Sequence, residues 1–406
     1  MKGSPPSSVK RLLLMVSALF LVPIHLFAWT NGELLIWMDN QRGRALDPIV
    51  QKFQNELGIS VTIETPQMIT DTFPIAAQAG KGPDVVIWAH DKVGEWSDGG
   101  LISQIDLPPN YLGKFYPKAW QAVTHKGQIW GYPIALETVT LIYNKAFLDG
   151  PPPSELSQLP AVDRTMKKIH PRVKTILWDP RSAYYSWGIL ASGGGFVFGK
   201  KGGDYDLENV GVATPGTIDA LNQIVGLIRA GILPKVCSYS ETEDLMGRGK
   251  LAMMISGPWA WSNLIKKGID FGLGQVPGVN GHVGRPFVGV SVAYLNRSSP
   301  NRDLAKEFIE HYLLTEAGLH AMDSAKAIGL PALISVYDQL SENDERMRQL
   351  KTSVDFGVVM PNVPQMGQFF SAMSAALQLA ADGRLSPAEA LHQAAANLRH
   401  EVGVAR

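Results

Sequence analysis

Apolar residues along this chain fall into two rhythms. ELLIWM (33–38) and DVVIWA (84–89) are compact apolar blocks, the pattern of strands buried on both faces. SVTIET (60–65) alternates Val61 and Ile63 with polar residues and predicts a half-buried strand. Between these blocks the spacing lengthens. Leu46, Ile49, Val50, Phe53 and Leu57 share one helical face, and Gly58 stands where a left-handed C′ stop belongs. Strands therefore alternate with helices, which predicts an α/β fold with mainly parallel sheets. The middle of the chain repeats the theme. TLIYNK (140–145), KTILW (174–178) and KLAMMIS (250–256) read as strands, and TPGTIDALNQIVGLIRAG (214–231) as a helix burying Ile218, Leu221, Ile224, Val225 and Ile228. GFVFGKKGGDYD (195–206) reads as a hairpin with a glycine turn. The last third is helical. SSPNRDLAKEFIEHYLL (298–314) predicts an N-cap at Ser299, Pro300 at the first helical position, and a buried stripe of Leu304, Phe308, Ile309 and Tyr312. FFSAMSAALQLAADG (369–383) and SPAEALHQAAANLRHEV (386–402) predict two more helices.

At 406 residues the chain is long enough for two domains. It shows no internal repeat, low-complexity tract or long linker, so two α/β lobes must pack closely, and the cleft between them is the default binding site. Lys and Arg balance Asp and Glu at 37 each. That argues against a basic nucleic-acid footprint, and no run of like charge suggests a membrane patch. The N-terminus differs from the rest. Lys2, Lys10 and Arg11 precede an apolar run from Leu12 to Ala28 broken by Pro23 and His25. This is the pattern of a secretory signal, expected to be cut after Ala28, and the run is too short and interrupted for a membrane anchor. The one cysteine, Cys237, allows no internal disulfide. Lying far from the cut, it also leaves no N-terminal cysteine there to be lipidated. Export without either feature predicts a soluble periplasmic monomer.

Known catalytic signatures are missing. The nine histidines are scattered with no HExxH, and there is no paired CxxC, GxSxG or GxxxxGK[ST]. No metal or other cofactor is expected. Gly193–Gly195 lead into the hairpin rather than a helix, so they read as turn glycines and not as a phosphate cradle. Spacing alone does not exclude a glycosidase carboxylate pair, which keeps an enzyme as the alternative. What remains is aromatic and polar. Trp37, Trp88, Trp259, Trp261, Tyr184, Tyr185, Trp187, Phe369 and Phe370 stand near predicted strand ends, several beside charged or amide groups such as Asp39, Gln41, Arg42, Asp91 and Lys92. Sugars suit this mixture, since their C–H faces pack on rings while their hydroxyls need fixed donors and acceptors. For any one ring, core packing remains the more common use.

GPDVVIWAHDKVG, YPIALETVTLIYNK, MMISGPWAWSN, RPFVGV, SSPNRDLAKEFIEHYLLTEAGL and VVMPNVPQMGQF, in this order, resemble the maltose/maltodextrin-binding proteins, periplasmic receptors of ATP-driven (ABC) sugar importers. The resemblance implies two α/β lobes around a hinged cleft. One lobe would hold 29–136 and 293–338, the other 141–287 and 345–406, with crossings near 137–140, 288–292 and 339–344. It also implies an oligosaccharide ligand, a membrane permease as partner, and the following contacts. Trp88, Ala89 and Asp91 match sugar contacts, with Lys92 in place of an arginine. Glu137 matches an acidic contact, Tyr184 and Trp259 match stacking rings, and Met360 matches an apolar contact. Asp39, Gln41 and Arg42 stand where the family has Asn, Asp and Lys, and Thr70 and Asp71 replace an acidic pair. Phe370 replaces a second stacking tryptophan, Ser182 a glutamate and Ser374 an arginine. The rings are mostly kept and the groups that read hydroxyls partly rewritten. Trp259 is expected to serve the ligand and Trp261 the core.

Overall fold

The computed structural model describes residues 32–148 and 150–404. The expected secretory segment, 1–28, lies outside the described residues. The chain builds a two-lobed α/β fold around two main sheets. In the first, Glu33–Trp37 pairs in parallel with Ser60–Glu64 on one side and with Val85–Ala89 on the other. Phe287–Leu295 continues the sheet antiparallel to Val85–Ala89, followed by Tyr132–Thr138 and Leu330–Pro331, each antiparallel to its neighbour. Val358–Val359 adds in parallel to Phe287–Val288. The second sheet runs Phe271–Gly274, Thr140–Asn144, Leu251–Ser256, Lys174–Leu177. Its first two pairings are antiparallel and its last is parallel.

The sheets are therefore mixed rather than mainly parallel. Parallel pairs occur where a local helix returns the chain to the same end of the sheet, as Asp47–Leu57 does between Glu33–Trp37 and Ser60–Glu64. Tyr132–Thr138 and Phe287–Leu295 pair antiparallel after the chain has passed through the second sheet, a long-range event that no local period records. Most other local expectations hold, but Leu57 is 44% exposed, Ile218 is only half-buried, and the helix predicted after Ser299 turns from α to π geometry at Ile309–Leu313. Gly58 sits at φ +67° and its N–H bonds the Gln54 carbonyl, closing the first long helix. Phe196–Lys201 and Asp204–Gly211 form the hairpin around Gly202–Gly203. Pro215–Arg229 is the predicted mid-chain helix, and Met366–Asp382 and Pro387–Val404 are the two last ones.

Ser299 and Pro300 are a correction. The helix there spans Arg302–Phe308, with Asn301 at its N-cap position. Ser299 does not cap it, because its hydroxyl is committed to the buried Asp84 carboxylate at 2.5 Å. The Asn301 N–H then bonds the Ser299 Oγ at 3.0 Å, a turn that delays the helix. Asp84 also accepts the Leu35 N–H at 2.8 Å, so a tertiary network overrides a local capping signal. Cys237 is buried beside Thr242, 2.9 Å away.

Candidate functional site

Strand direction and register decide which side chains can meet. Glu33–Trp37, Ser60–Glu64 and Val85–Ala89 point the same way, so their C-terminal ends open on one edge, where open α/β sheets bind ligands. Asp39, Gln41 and Arg42 follow the first strand. Asp71 lies in the helix Ile69–Gln78 after the second, and Ala89–Lys92 end the third. Tyr132–Thr138 is antiparallel to a strand that is itself antiparallel to Val85–Ala89, which brings Glu137 to the same edge. Only Val139 separates Thr138 from Thr140, the first residue of the second sheet, and Thr140 pairs with Ser256. Gly257, Pro258 and Trp259 come next. Glu137 precedes and Trp259 follows this one paired position, each by three residues, so both chains leave the antiparallel pair at the same end. Lys174–Leu177, parallel to Leu251–Ser256, likewise ends toward Ser182 and the helix Ala183–Ser192 that carries Tyr184.

The side chains complete this junction. Asp39 accepts the Arg42 N–H at 3.0 Å, capping the short helix Asn40–Ala45. The Arg42 guanidinium stands 3.5 Å from Asp39, 3.6 Å from Glu137, and donates to the Ala327 carbonyl at 2.9 Å. Burial raises the Glu137 pKa above the usual carboxylate range, while Arg42 and Lys326 pull it back. Burial, together with the field of Glu137, raises the Tyr184 hydroxyl. Tyr184 in turn lies 6.2 Å from Trp259, ring centre to ring centre, tilted by 46°. Asp39, Arg42, Glu137, Tyr184 and Trp259 therefore form one continuous series from the first sheet's edge to the second's.

Asp91 is the least satisfied member. Its Oδ1 is buried and has no hydrogen-bond partner among the described residues. Desolvation pushes its pKa up to about 6, with neighbouring Lys92 opposing. Lys92 is drawn instead to Glu95, at 2.9 Å. A buried acceptor without a donor is costly, and a hydroxyl placed there would remove the cost. Trp88, Ala89, Asp71 and Gln41 are exposed. Phe370 is half-buried against Phe287 and Phe369. The Met360 side chain is buried in the second lobe's core, and its backbone bonds His90 and Val288. Ser182 and Ser374 are half-buried. Arg181, next to Ser182, is tied to Asp382 at 2.8 Å and to the Lys235 carbonyl at 3.0 Å.

The rings divide by burial. Trp37, Trp187 and Phe369 are core residues despite standing near strand ends. Trp261 is 5% exposed, its indole N–H without a hydrogen-bond partner among the described residues, whereas Trp259 is half-exposed. Trp259 folds back over Gly257 so closely that a Cβ there would lie 2.2 Å from the ring, which only glycine permits. Tyr185, left out of the expected contacts, interacts with the Trp259 indole N–H. His90 is fully buried; its place inside WAHD gave no hint of this, since an imidazole reads as polar. Among the described residues no group of three or more His, Cys, Asp or Glu is placed to hold a metal, and no helix is long and apolar enough to cross a membrane.

Residues 39–318 match the family of bacterial extracellular solute-binding proteins. The chain is 27% identical over 360 residues to a maltotriose-binding protein of Pyrococcus abyssi, covering 86% of this chain and 77% of that protein. It is 27% identical over 384 residues to a galactooligosaccharide-binding protein of Bacillus subtilis, covering 92% and 90%. It is 24% identical over 346 residues to a maltooligosaccharide ABC transporter solute-binding lipoprotein of Streptococcus pneumoniae, covering 82% and 80%.

Proposed function

Because the chain belongs to the bacterial extracellular solute-binding protein family, we propose that it captures maltodextrin-type oligosaccharides between its lobes and delivers them to the permease of an ABC importer. The observation that carries this reading is the series from Arg42 through Glu137 and Tyr184 to Trp259. It sets charged hydrogen-bonding groups against half-exposed rings at the meeting of two carboxyl edges. The sugar's faces rest on Trp259, Tyr184 and Phe370 of the second lobe. Asp91, Lys92, Asp71, Arg42, Asp39 and Gln41 of the first lobe close over its hydroxyls, with Trp88 and Ala89 beside them and Met360 on the second-lobe side. Glu137 reaches it from the crossing. Contacts to both lobes exist together only when they are closed, so the sugar shifts the population toward the closed form, the form that docks on the permease. The protein is exported to the periplasm and works without a cofactor.

Relatives of equal identity bind malto- and galacto-oligosaccharides by name, so a galactose-containing ligand is the second reading. A panel of α- and β-linked oligosaccharides, followed by thermal shift and tryptophan fluorescence, separates the two. A ligand at 100 times its Kd adds about 2.7 kcal/mol, an upward shift of about 5–10 °C for lobes of this size. No response of the folded protein to any oligosaccharide overturns the receptor reading. Steady release of new reducing ends from maltodextrin would instead favour hydrolysis.

A further inference from the structure

The rings proposed to carry the sugar stand on separate elements of the second lobe. Tyr184 is on the first turn of helix Ala183–Ser192, Phe370 on helix Met366–Asp382, and Trp259 in the turn that leads into helix Trp261–Lys266. A stacking platform works best when it is already ordered, because ordering it at the moment of binding costs affinity. The first turn of Ala183–Ser192 is poorly equipped for this. Ser182 occupies its N-cap position, yet its side chain makes no capping bond. Serine there normally satisfies one of the orphan N–H groups, and without that bond the first turn is weak. This is the turn that carries both Tyr184 and Tyr185.

The segment just before it is braced upon itself. Trp178 donates from Nε1 to the Ser186 Oγ at 3.1 Å, and the Ser186 hydroxyl donates to the Pro180 carbonyl at 3.1 Å. The Arg181 N–H donates to the Asp179 carboxylate at 3.0 Å. The Arg181 side chain reaches beyond the segment. Its Nη2 donates to Asp382 at 2.8 Å and its Nε to the Lys235 carbonyl at 3.0 Å. Both Arg181 and Asp382 are half-buried. Asp382 is the last residue of helix Met366–Asp382, where a carboxylate lies against the negative end of the helix dipole, and that last turn has no basic residue of its own. Arg181 supplies the missing cation. Lys235 leads into helix Tyr239–Gly247, whose Glu243 accepts the Asn263 amide of helix Trp261–Lys266 at 2.8 Å. One guanidinium therefore links the element of Tyr184 directly to that of Phe370, and through Glu243 to that of Trp259. Its planar fork sends donors in two fixed directions, which a lysine ammonium does not.

We infer that Arg181 is a positioning residue of the ring platform, holding the uncapped first turn of helix Ala183–Ser192 so that Tyr184 keeps its place relative to Trp259 and Phe370. It touches the ligand through none of this; it acts through Tyr184. The inference deepens the receptor reading and rests on it for the role of the rings.

The test uses the full chain labelled with meta-fluorotyrosine, followed by fluorine NMR without sugar and by calorimetric titration with maltotriose and a galacto-oligosaccharide. The Tyr184 line is assigned by its loss in Tyr184→Phe. Tyr132 and Tyr294, fully buried in the first sheet, serve as internal controls assigned in the same way. Arg181→Met should shift or split the Tyr184 line, leave the Tyr132 and Tyr294 lines in place, and weaken binding about tenfold. Asp382→Asn, a milder change that keeps the side-chain shape, should move the same line in the same sense and weaken binding about threefold. Arg181→Lys should not restore the wild-type line. Combined, Arg181→Met and Asp382→Asn should weaken binding no more than Arg181→Met alone. An unmoved Tyr184 line in folded Arg181→Met overturns the inference. So does a shift shared equally by Tyr132 and Tyr294, which marks general loosening, and so does affinity within about twofold of wild type for a sugar the wild type binds. If Arg181→Met does not fold, the same outcomes are read from Asp382→Asn. If the wild type binds neither sugar, the receptor reading fails for those sugars, while the lines recorded without sugar still decide whether Arg181 places Tyr184.

Discussion

Gly257→Ala isolates the ring platform from the rest of the protein. The Gly257 backbone, at φ −114° and ψ −171°, suits alanine without strain, so the added methyl acts only through what it touches. Its Cβ would lie 2.2–2.7 Å from Cζ3, Cη2 and Cε3 of Trp259. Carbon atoms rest about 3.5–4.0 Å apart, so the ring must swing by more than about 1 Å at those atoms. Trp259 is half-exposed and can move without opening the core, which keeps the stability cost to about 1 kcal/mol or less. A sugar that rests on the ring loses most of that contact. Burying a face of this size contributes about 1.5–3 kcal/mol, so affinity should fall about 10- to 100-fold. Calorimetric titration with maltotriose measures the loss, and urea unfolding without sugar measures stability. If Gly257→Ala binds as tightly as the wild type with an unaltered fluorescence response, Trp259 is not the platform.

The same comparison assigns the neighbouring ring. Trp261→Ala should cost about 3–5 kcal/mol in urea unfolding, with sugar affinity changed less than threefold once the protein is folded; the reverse split would undo the division between the two tryptophans. Sugar affinity should rise as pH increases through about 6, because the ionised Asp91 carboxylate accepts hydroxyl hydrogen bonds better than its acid does. The gain from pH 5 to 7 should be about tenfold, absent from Asp91→Asn, and a flat profile in the wild type would remove Asp91 from the site. Burial lowers the His90 pKa from 6.5 to about 4, with its two backbone bonds opposing. The unfolded chain therefore takes up this proton first, and stability should fall by up to about 3 kcal/mol as pH drops from 6.5 to 4. The raised Asp91 pKa acts with the opposite sign between 6 and 4, so the measurement belongs in the Asp91→Asn background, where an acid limb no steeper than that of a His90→Asn, Asp91→Asn double variant refutes it. Gly94→Ala should destabilise by about 1–3 kcal/mol, since the atom it meets is a backbone carbonyl that cannot yield. Gly226→Ala, whose added methyl meets nothing within 4 Å among the described residues, should stabilise by about 0.5–1 kcal/mol, both variants read by urea unfolding.

Sequence alone determined the parts whose cause is local. The strands at 33–37, 60–64 and 85–89, the helix that Gly58 ends and the hairpin at Gly202–Gly203 follow from side-chain period and from backbone conformations that glycine adopts cheaply. The chemistry of the candidate site was also legible, because rings beside carboxylates and cations are unusual wherever they fall. Tertiary structure decided what depends on the meeting of distant segments. Strand direction was one such case, since Tyr132–Thr138 and Phe287–Leu295 pair only after the chain has visited the second sheet. Ser299 was another, where the buried Asp84 offered its hydroxyl a stronger bond than a helix end. The fates of Trp37, Trp187 and Phe369, buried, and of Trp259, half-exposed, came from packing that no single window of sequence contains. Lys118 carried no signal at all: in YPKAW it reads as a surface lysine, and only the arrival of the Val354, Asp355 and Gly357 carbonyls gives its ammonium three acceptors. Local propensity is set by a residue and its near neighbours, whereas pairing and burial are set by whatever the rest of the chain brings to the same place.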